Sequence, residues 1–383
     1  MPLLEPILRD VQQSVRRLVR EKTFTLTVLS IFALCLAANV AIFGVVNGVL
    51  LKPLPFPNPD RLVAVYNTYA KAGVDRAGAS VPHYIERKQA IAVFEDAAGV
   101  RSSGVTIGEA GSPERVDASL VTPSFFRVLG VSAALGRTFT EDESAEGKNQ
   151  VVVLSDTIWR QRFGADPLVM GQTIRINTKP YTIVGVMPAG FHYLSQQAKL
   201  WIPLVFSDDE RKPERRHSNN MEMIARLRSG TTISGAQAQL DALNERMLKV
   251  DPYAKLVVDA GFHSNIRDLH ADSVAMLKPV LLLLQAGVLF LLLIGTVNLA
   301  NLLLVRASGR TKEYCVRQAL GAGRLQLARS LIIETLVIAI AGGLLGLGLG
   351  AAALRGIAAL AAGELPANLV LGLDFTVCAV ALS

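Results

Sequence analysis

The sequence predicts a multi-pass α-helical membrane protein with a large α+β domain inserted between its first and second transmembrane helices. Three observations predict it: three apolar runs long enough to cross a bilayer, short arginine-rich segments beside them, and more than two hundred residues of mixed strand and helix patterning between the first two runs. The chain has 383 residues, of which 51% are hydrophobic, and its mean hydropathy is +0.37. That is too apolar for an ordinary water-soluble protein of this length.

The run TFTLTVLSIFALCLAANVAIFGVVNGVLL, between Lys22 and Lys52, carries no charge. A hydrocarbon core of ~30 Å needs about 20 helical residues, so this run spans with length to spare. It also exceeds the roughly 7 to 15 apolar residues of a cleaved signal peptide. Pro279 to Val305 and Thr335 to Leu354 pass the same test. The segment FTVCAVALS after Asp374 reaches only about 13 Å at 1.5 Å per residue, which reads as the first half of a fourth span in a truncated chain. The predicted organisation is therefore a cytoplasmic amphipathic helix (1–22), a first span (23–51), an outer domain (52–278), a second span (279–305), a basic loop (306–334), a third span (335–354), an outer loop (355–374) and the start of a fourth span (375–383).

Charge sets the orientation. Arg9, Arg16, Arg17, Arg20 and Lys22 precede the first span, and Arg306, Arg310, Lys312, Arg317, Arg324 and Arg329 lie between the second and third. Short basic segments stay in the cytoplasm, so the N-terminus is placed inside and residues 52–278 outside. The formal net charge of +7 is then explained by topology and lipid headgroups, and nucleic acid is not an expected partner. Leu4, Leu8, Val11, Val15 and Leu18 recur at helical spacing opposite Arg9, Arg16 and Arg20. Such a helix lies on the inner leaflet, docks on a partner, or does both.

The outer domain follows the alternating prolines Pro53, Pro55, Pro57 and Pro59, a stiff extended exit from the span. QVVVLS reads as a strand, and TIRIN and YTIVGVM as a hairpin turning at Thr178, Lys179 and Pro180. HYIERKQAIAVFED, PSFFRVLG and DTIWRQRFG read as helices. A fourth helix is expected with Ser234 as its cap and Leu240, Leu243, Met247 and Val250 as its apolar stripe. Three cysteines, Cys35, Cys315 and Cys378, offer this domain no disulfide framework.

No metal and no cofactor is expected. His83, His192, His217, His263 and His270 are irregularly spaced, and Asp268, His270 and Asp272 read more simply as polar surface than as metal ligands. No GxSxG, HExxH or CxxC pattern occurs, so no enzyme activity is expected. Nor does a GxxxxGK[ST] phosphate loop, so any ATP dependence has to come from a separate subunit. Gly44 and Gly48, and Gly342, Gly346 and Gly350, have the GxxxG spacing that lets helix backbones approach. Asn39, Asn47, Asn298 and Asn301 are polar groups that lipid leaves unsatisfied, and they are expected to face other helices or a cavity. The basic loop RASGRTKEYCVRQALGAGRLQLARSLIIE holds a short helix between Gly309 and Gly321, with Glu313 and Arg317 at i, i+4. A partner could grip it, or it is a plain connecting loop.

Taken together, LRDVQQSVRRL, FTLTVL, AANVAIFGVVNGVLLKPLPFPNPDRLV, SFFRVLGV, ALGRTF, VVVLSDTIWRQRFGADP, GVMPAGF, LWIPL and RTKEYCVRQALGA resemble the MacB/FtsX-like permeases of the type VII ABC superfamily. The likeness is strongest to the duplicated-permease branch common in acidobacteria. The resemblance implies a MacB-like periplasmic core domain, an FtsX-like permease domain over 279–383, and residence in a bacterial inner membrane. It implies efflux or mechanotransmission, in which a cytoplasmic ABC ATP-binding subunit drives motion in the periplasm. It also implies a homodimer, or a pseudo-dimer with a second permease copy, and a periplasmic or outer-membrane partner. The coupling helix is expected over Thr311 to Leu320. Glu313, Arg317, Ala319, Leu320 and Gly321 match the family's E-x-x-x-R-x-A-L-G pattern, Cys315 stands where an aliphatic residue is commoner, and Thr311 and Tyr314 complete the expected contact surface. The alternative within the family is an FtsX-like regulator of an envelope enzyme that transports nothing.

Overall fold

A computed structural model describes residues 4–108, 113–194, 198–309, 316, 319 and 324–360. In chain order the helices are α1 (Leu4–Arg20), α2 (Lys22–Val46), α3 (Val81–Ala90), α4 (Phe125–Leu129), α5 (Asp156–Phe163), α6 (Ile233–Leu248), α7 (Ala254–Asp259), α8 (Leu269–Ser273), α9 (Lys278–Gly309) and α10 (Arg324–Leu360). The strands are β1 (Leu62–Tyr69), β2 (Val74–Ala77), β3 (Phe94–Ile107), β4 (Glu114–Val121), β5 (Leu135–Gly136), β6 (Val151–Leu154), β7 (Thr173–Ile176), β8 (Lys179–Val186), β9 (Leu200–Pro203), β10 (Glu222–Leu227) and β11 (Phe262–Asp268). They form two compact units, one helical within 4–52 and 276–360, and one α+β within 53–275.

Among the described residues of the helical unit, three helical stretches are long and apolar enough to cross a membrane: Lys22–Leu51, Lys278–Gly309 and Leu331–Leu360. The first combines α2 with a π-helical turn over Asn47–Leu51. Helix α2 is the hub. Its Val28, Leu36 and Val40 are buried, whereas most of the leucines of α9 are exposed.

The α+β unit is built on one sheet whose strands run β11-β1-β10-β3-β4-β9-β6-β8-β5, with β2 beside β1, and β7 bridging β3 and β8. The β4–β9 and β6–β8 pairs are parallel, and the remaining pairs are antiparallel. Helices α3 and α6 cover Val63, Val65, Met223 and Ala225 on one part of the sheet. Helix α5 contributes Ile158 to a second core around Val152, Leu154 and Ile183. A third core is aromatic, with Trp201 set 6.0 Å from Phe126 and 5.2 Å from Phe191 between ring centroids. The edge strand β11 is not left open: Gln237 of α6 donates to the Ser264 carbonyl (2.8 Å) and accepts from the Ile266 amide (2.8 Å), replacing a missing neighbour strand.

Several local readings change. The first expected helix of the domain stops at Ala90, and Phe94 to Asp96 already belong to β3. The hairpin turns at Asn177 and Thr178, whose φ values are 48° and 70°. Two consecutive left-handed residues make the turn whose twist matches the strands, so Lys179 and Pro180 fall in β8. Thr232, not Ser234, caps α6: its side chain accepts from the Gly235 amide at 3.1 Å, and Ser234 lies inside the helix. Leu240 and Leu243 are buried as the stripe requires, but Val250 lies beyond the helix end and is 69% exposed.

These caps can be separated by melting the purified full chain in detergent. Thr232→Ala is expected to destabilise the α+β unit by about 1 kcal/mol, and Ser234→Ala by much less.

Candidate functional site

The predicted packing glycines of α10 lie along α2. A Cβ on Gly342 would sit 2.6 Å from Phe32, one on Gly346 2.8 Å from Leu36, and one on Gly350 2.6 Å from Val40. Gly44 on α2 meets Leu354 of α10 in the same way at 2.7 Å, and Gly48 is buried in the π turn. On the other side of α2, Gly295 of α9 makes room for Cys35, whose sulfur would lie 2.7 Å from an added Cβ. Asn39 is buried and accepts from Gln285 Nε2 at 3.0 Å, joining α2 to α9, and Asn47 is buried too. Asn298 and Asn301 are instead exposed, because α9 turns the face bearing Gly295 toward α2. Among the described residues no helix covers their side.

At one end of these helices is a cluster of ions. Arg306 reaches Glu21 at 2.9 Å and Glu334 at 2.5 Å, and its guanidinium lies 4.2 Å above the Phe24 ring. The Arg306 and Glu334 side chains are 10% and 7% exposed. Arg329 holds Asp10 through two nitrogens, at 2.9 and 2.8 Å. Helix α1 thus docks through Asp10, Ser14 and Leu18, while Leu8 and Val15 of the expected apolar stripe stay exposed, as does Val19. Arg306 and Arg329 bracket the segment in which the coupling helix is expected. Thr311, Glu313, Tyr314, Arg317, Leu320 and Gly321 lie outside the described residues, and Ala319 is helical and exposed.

The α+β unit contains a second polar cluster that sequence spacing did not reveal. His83 and His217 come within 5.3 Å of each other between ring centroids, and Phe262 stacks on His83. His217 joins Asp251 (2.8 Å) to the Tyr69 hydroxyl (2.8 Å), and Asn219 donates to that hydroxyl. Asn67 donates to His83 Nδ1 at 3.1 Å and accepts from the fully buried Arg87 at 2.6 Å. Burial lowers the Arg87 pKa to about 10. Arg216 grips Glu86 through both terminal nitrogens. The only local signal was His83 and Arg87 at i, i+4 on one helix face; the other members come from loops and strands far apart in sequence. Asp268 caps α8 through the Ala271 amide, and Asp272 pairs with Arg76 at 2.7 Å, so both carboxylates serve the fold.

A family model described as the MacB-like periplasmic core domain matches residues 24–243, more than half of the chain. The chain belongs to the MacB-like periplasmic core domain family. A second model, the FtsX-like permease C-terminal, matches residues 286–382. Among curated relatives of this core-domain chain, a macrolide export ATP-binding/permease protein MacB of Neisseria meningitidis is 28% identical over 234 residues, covering 61% of this chain and 34% of the relative. A probable syringafactin export ATP-binding/permease protein, SyfD of Pseudomonas syringae, is 26% identical over 238 residues, with 61% and 34% covered. The chain thus spans about a third of the length of the curated relatives it matches. The crystal structure of the periplasmic region of MacB from Actinobacillus actinomycetemcomitans matches with a TM-score of 0.39 at 15% identity, covering 62% of this chain and 97% of that one.

Two outcomes follow from this geometry. Gly346→Leu forces a side chain against Leu36 and the Ala33 carbonyl, whereas Gly348 has nothing within 4 Å. Gly346→Leu should therefore lower the melting temperature of the helical unit, by an overpacking cost of roughly 1–3 kcal/mol, and Gly348→Leu should leave it near wild type. The second outcome concerns pH. Burial first, then the nearby Arg87, His217 and Arg216 charges, hold the His83 pKa well below its ordinary value. The folded state then keeps His83 neutral while the unfolded state takes up a proton below about pH 6.5, so stability falls as the pH drops through that value. Urea unfolding at pH 7.5 and 5.0 should show a loss that His83→Asn reduces by up to about 1.4 kcal/mol per pH unit.

Proposed function

We infer that this chain is the permease subunit of an ABC-type efflux or mechanotransmission complex in a bacterial inner membrane. The observation that carries the reading is the order of the two family matches, with the core domain first and the FtsX-like segment after it, in a chain that has no phosphate-binding loop. In this reading the N-terminus and residues 306–334 lie in the cytoplasm, residues 52–278 lie in the periplasm, and two permease units stand side by side.

A separate ABC ATP-binding subunit then docks on the coupling helix through Thr311, Glu313, Tyr314, Arg317, Ala319, Leu320 and Gly321. Nucleotide-driven movement of that helix reaches α9 and α10, between which it is connected. The ion pairs Arg306–Glu334 and Arg329–Asp10 support this reading, since they tie both roots of the segment to neighbouring helices and to α1. The glycine-lined contact of α10 on α2 would carry the movement onward to the helix that leads into the core domain.

Co-purification tests the assignment. Arg317→Glu should reduce retention of the ATP-binding subunit about tenfold, equivalent to ~1.4 kcal/mol, with the protease resistance of residues 53–275 unchanged. Unaltered retention would remove the coupling-helix assignment.

A further inference from the structure

The α+β unit is joined to the rest of the chain at two points, and the sheet register brings both to one end of one strand pair. Strand β1 starts at Leu62 and β11 ends at Asp268, and these strands pair antiparallel with Val63 opposite Asp268 and Tyr69 opposite Phe262. A force separating the two connections would therefore pull the first residues of β1 away from the last residues of β11. In that direction the ladder opens like a zipper, one hydrogen bond at a time, which is the weakest way to load a sheet. A unit that receives motion through these two connections needs the load taken before it reaches the ladder.

An arginine stands at each connection. On the incoming side, Arg226 of β10 is buried, with its side chain reaching back across the start of β1. Its Nε donates to the Val128 carbonyl at 2.7 Å and its Nη1 to the Pro57 and Asn58 carbonyls at 3.0 and 3.4 Å. It therefore grips the proline-rich strap and α4 together. Arg61 adds to the grip, donating to the Leu227 carbonyl at 2.7 Å and pairing with Glu95. On the outgoing side, Arg76 of β2 pairs with Asp272 of α8 at 2.7 Å, and that carboxylate side chain is only 6% exposed. The Arg76 guanidinium also lies 5.2 Å from the centre of the Tyr66 ring on β1. Each connection is thus fastened to a strand other than the β1–β11 pair that it would open.

We propose that Arg226 and Arg76 are the load-bearing anchors through which movement of the flanking helices enters the core domain. The two anchors shield the β1–β11 ladder from peeling, so that the domain moves as a body instead of opening. This rests on the mechanotransmission reading, which it deepens by naming the residues that receive the motion. Charge-assisted donation to several carbonyls suits the incoming side, because a guanidinium holds two chain segments at once and does not lose its charge.

The experiment is single-molecule pulling on the full chain in detergent, with the three native cysteines replaced and handles attached at Pro53→Cys and Met276→Cys. A control axis uses Lys148→Cys and Lys249→Cys, two exposed positions of the same unit. Arg226→Met is expected to lower the peak rupture force roughly two-fold along the first axis and to leave the control axis within error, since it removes charge-assisted bonds that only the first axis loads. Arg76→Gln, at a half-exposed side chain, should show the same one-sided fall if Arg226→Met does not fold. An equal fall along both axes would mean that the arginines are ordinary stabilising residues, and no fall along either would mean that the strap bears no load; both overturn the proposal. Neither residue is needed for retention of an ATP-binding subunit, so failure here is distinguishable from failure of the coupling-helix assignment.

Discussion

Strand β1 is hydrogen-bonded along both edges, and the organisation of the α+β unit depends on that double pairing. Its first residues pair with β10 from Leu62 to Val65, and its whole length from Val63 pairs with β11. Because Leu62, Val63, Ala64 and Val65 are all buried, a one-residue slip would exchange the two faces of the strand between different cores. The same register brings the two chain connections together and sets Arg226 beside the strap. Local propensity has no means of specifying this, since β11 lies about two hundred residues from β1 in the sequence.

In the helical unit the constraint is a different one. Helices long and apolar enough to cross a membrane gain little from burying apolar surface against one another in lipid, so contacts between such helices come from close backbone approach and from paired polar groups. Helix α10 supplies the first through Gly342, Gly346 and Gly350 against α2, and Asn39 with Gln285 supplies the second between α2 and α9. The Arg306–Glu334 pair follows the rule for buried charge: each ion is tolerated because its partner is within reach, Glu21 reaches the same guanidinium from a more exposed position, and Phe24 covers the guanidinium face.

The curated relatives carry names that include an ATP-binding part, and the sequence of this chain has no GxxxxGK[ST] pattern. The core-domain family match extends from α2 to within α6 and stops before β11, although β11 completes the pairing of β1. The edge of that strand is closed by Gln237, a single side chain, which is economical where a further strand would have to come from elsewhere.

Sequence by itself determined what depends on neighbours in the chain. Apolar run length marked the membrane-length helices and small-residue spacing marked the face of α10; the structure adds that Gly130 and Gly164 end α4 and α5 in the left-handed region, also a local effect. Even there it missed by a residue or two. Thr232 and Ser234 both carry hydroxyls, and only the direction of the entering chain selects Thr232; Asn177 and Thr178 took the turn because the strands' twist demanded two left-handed residues. Tertiary structure alone decided which distant groups meet: His83 with His217, Arg226 with the strap, and Gln237 with the edge of β11. Those pairings depend on strand order and register, which follow from burying several apolar faces at once, and no short window of sequence carries that information.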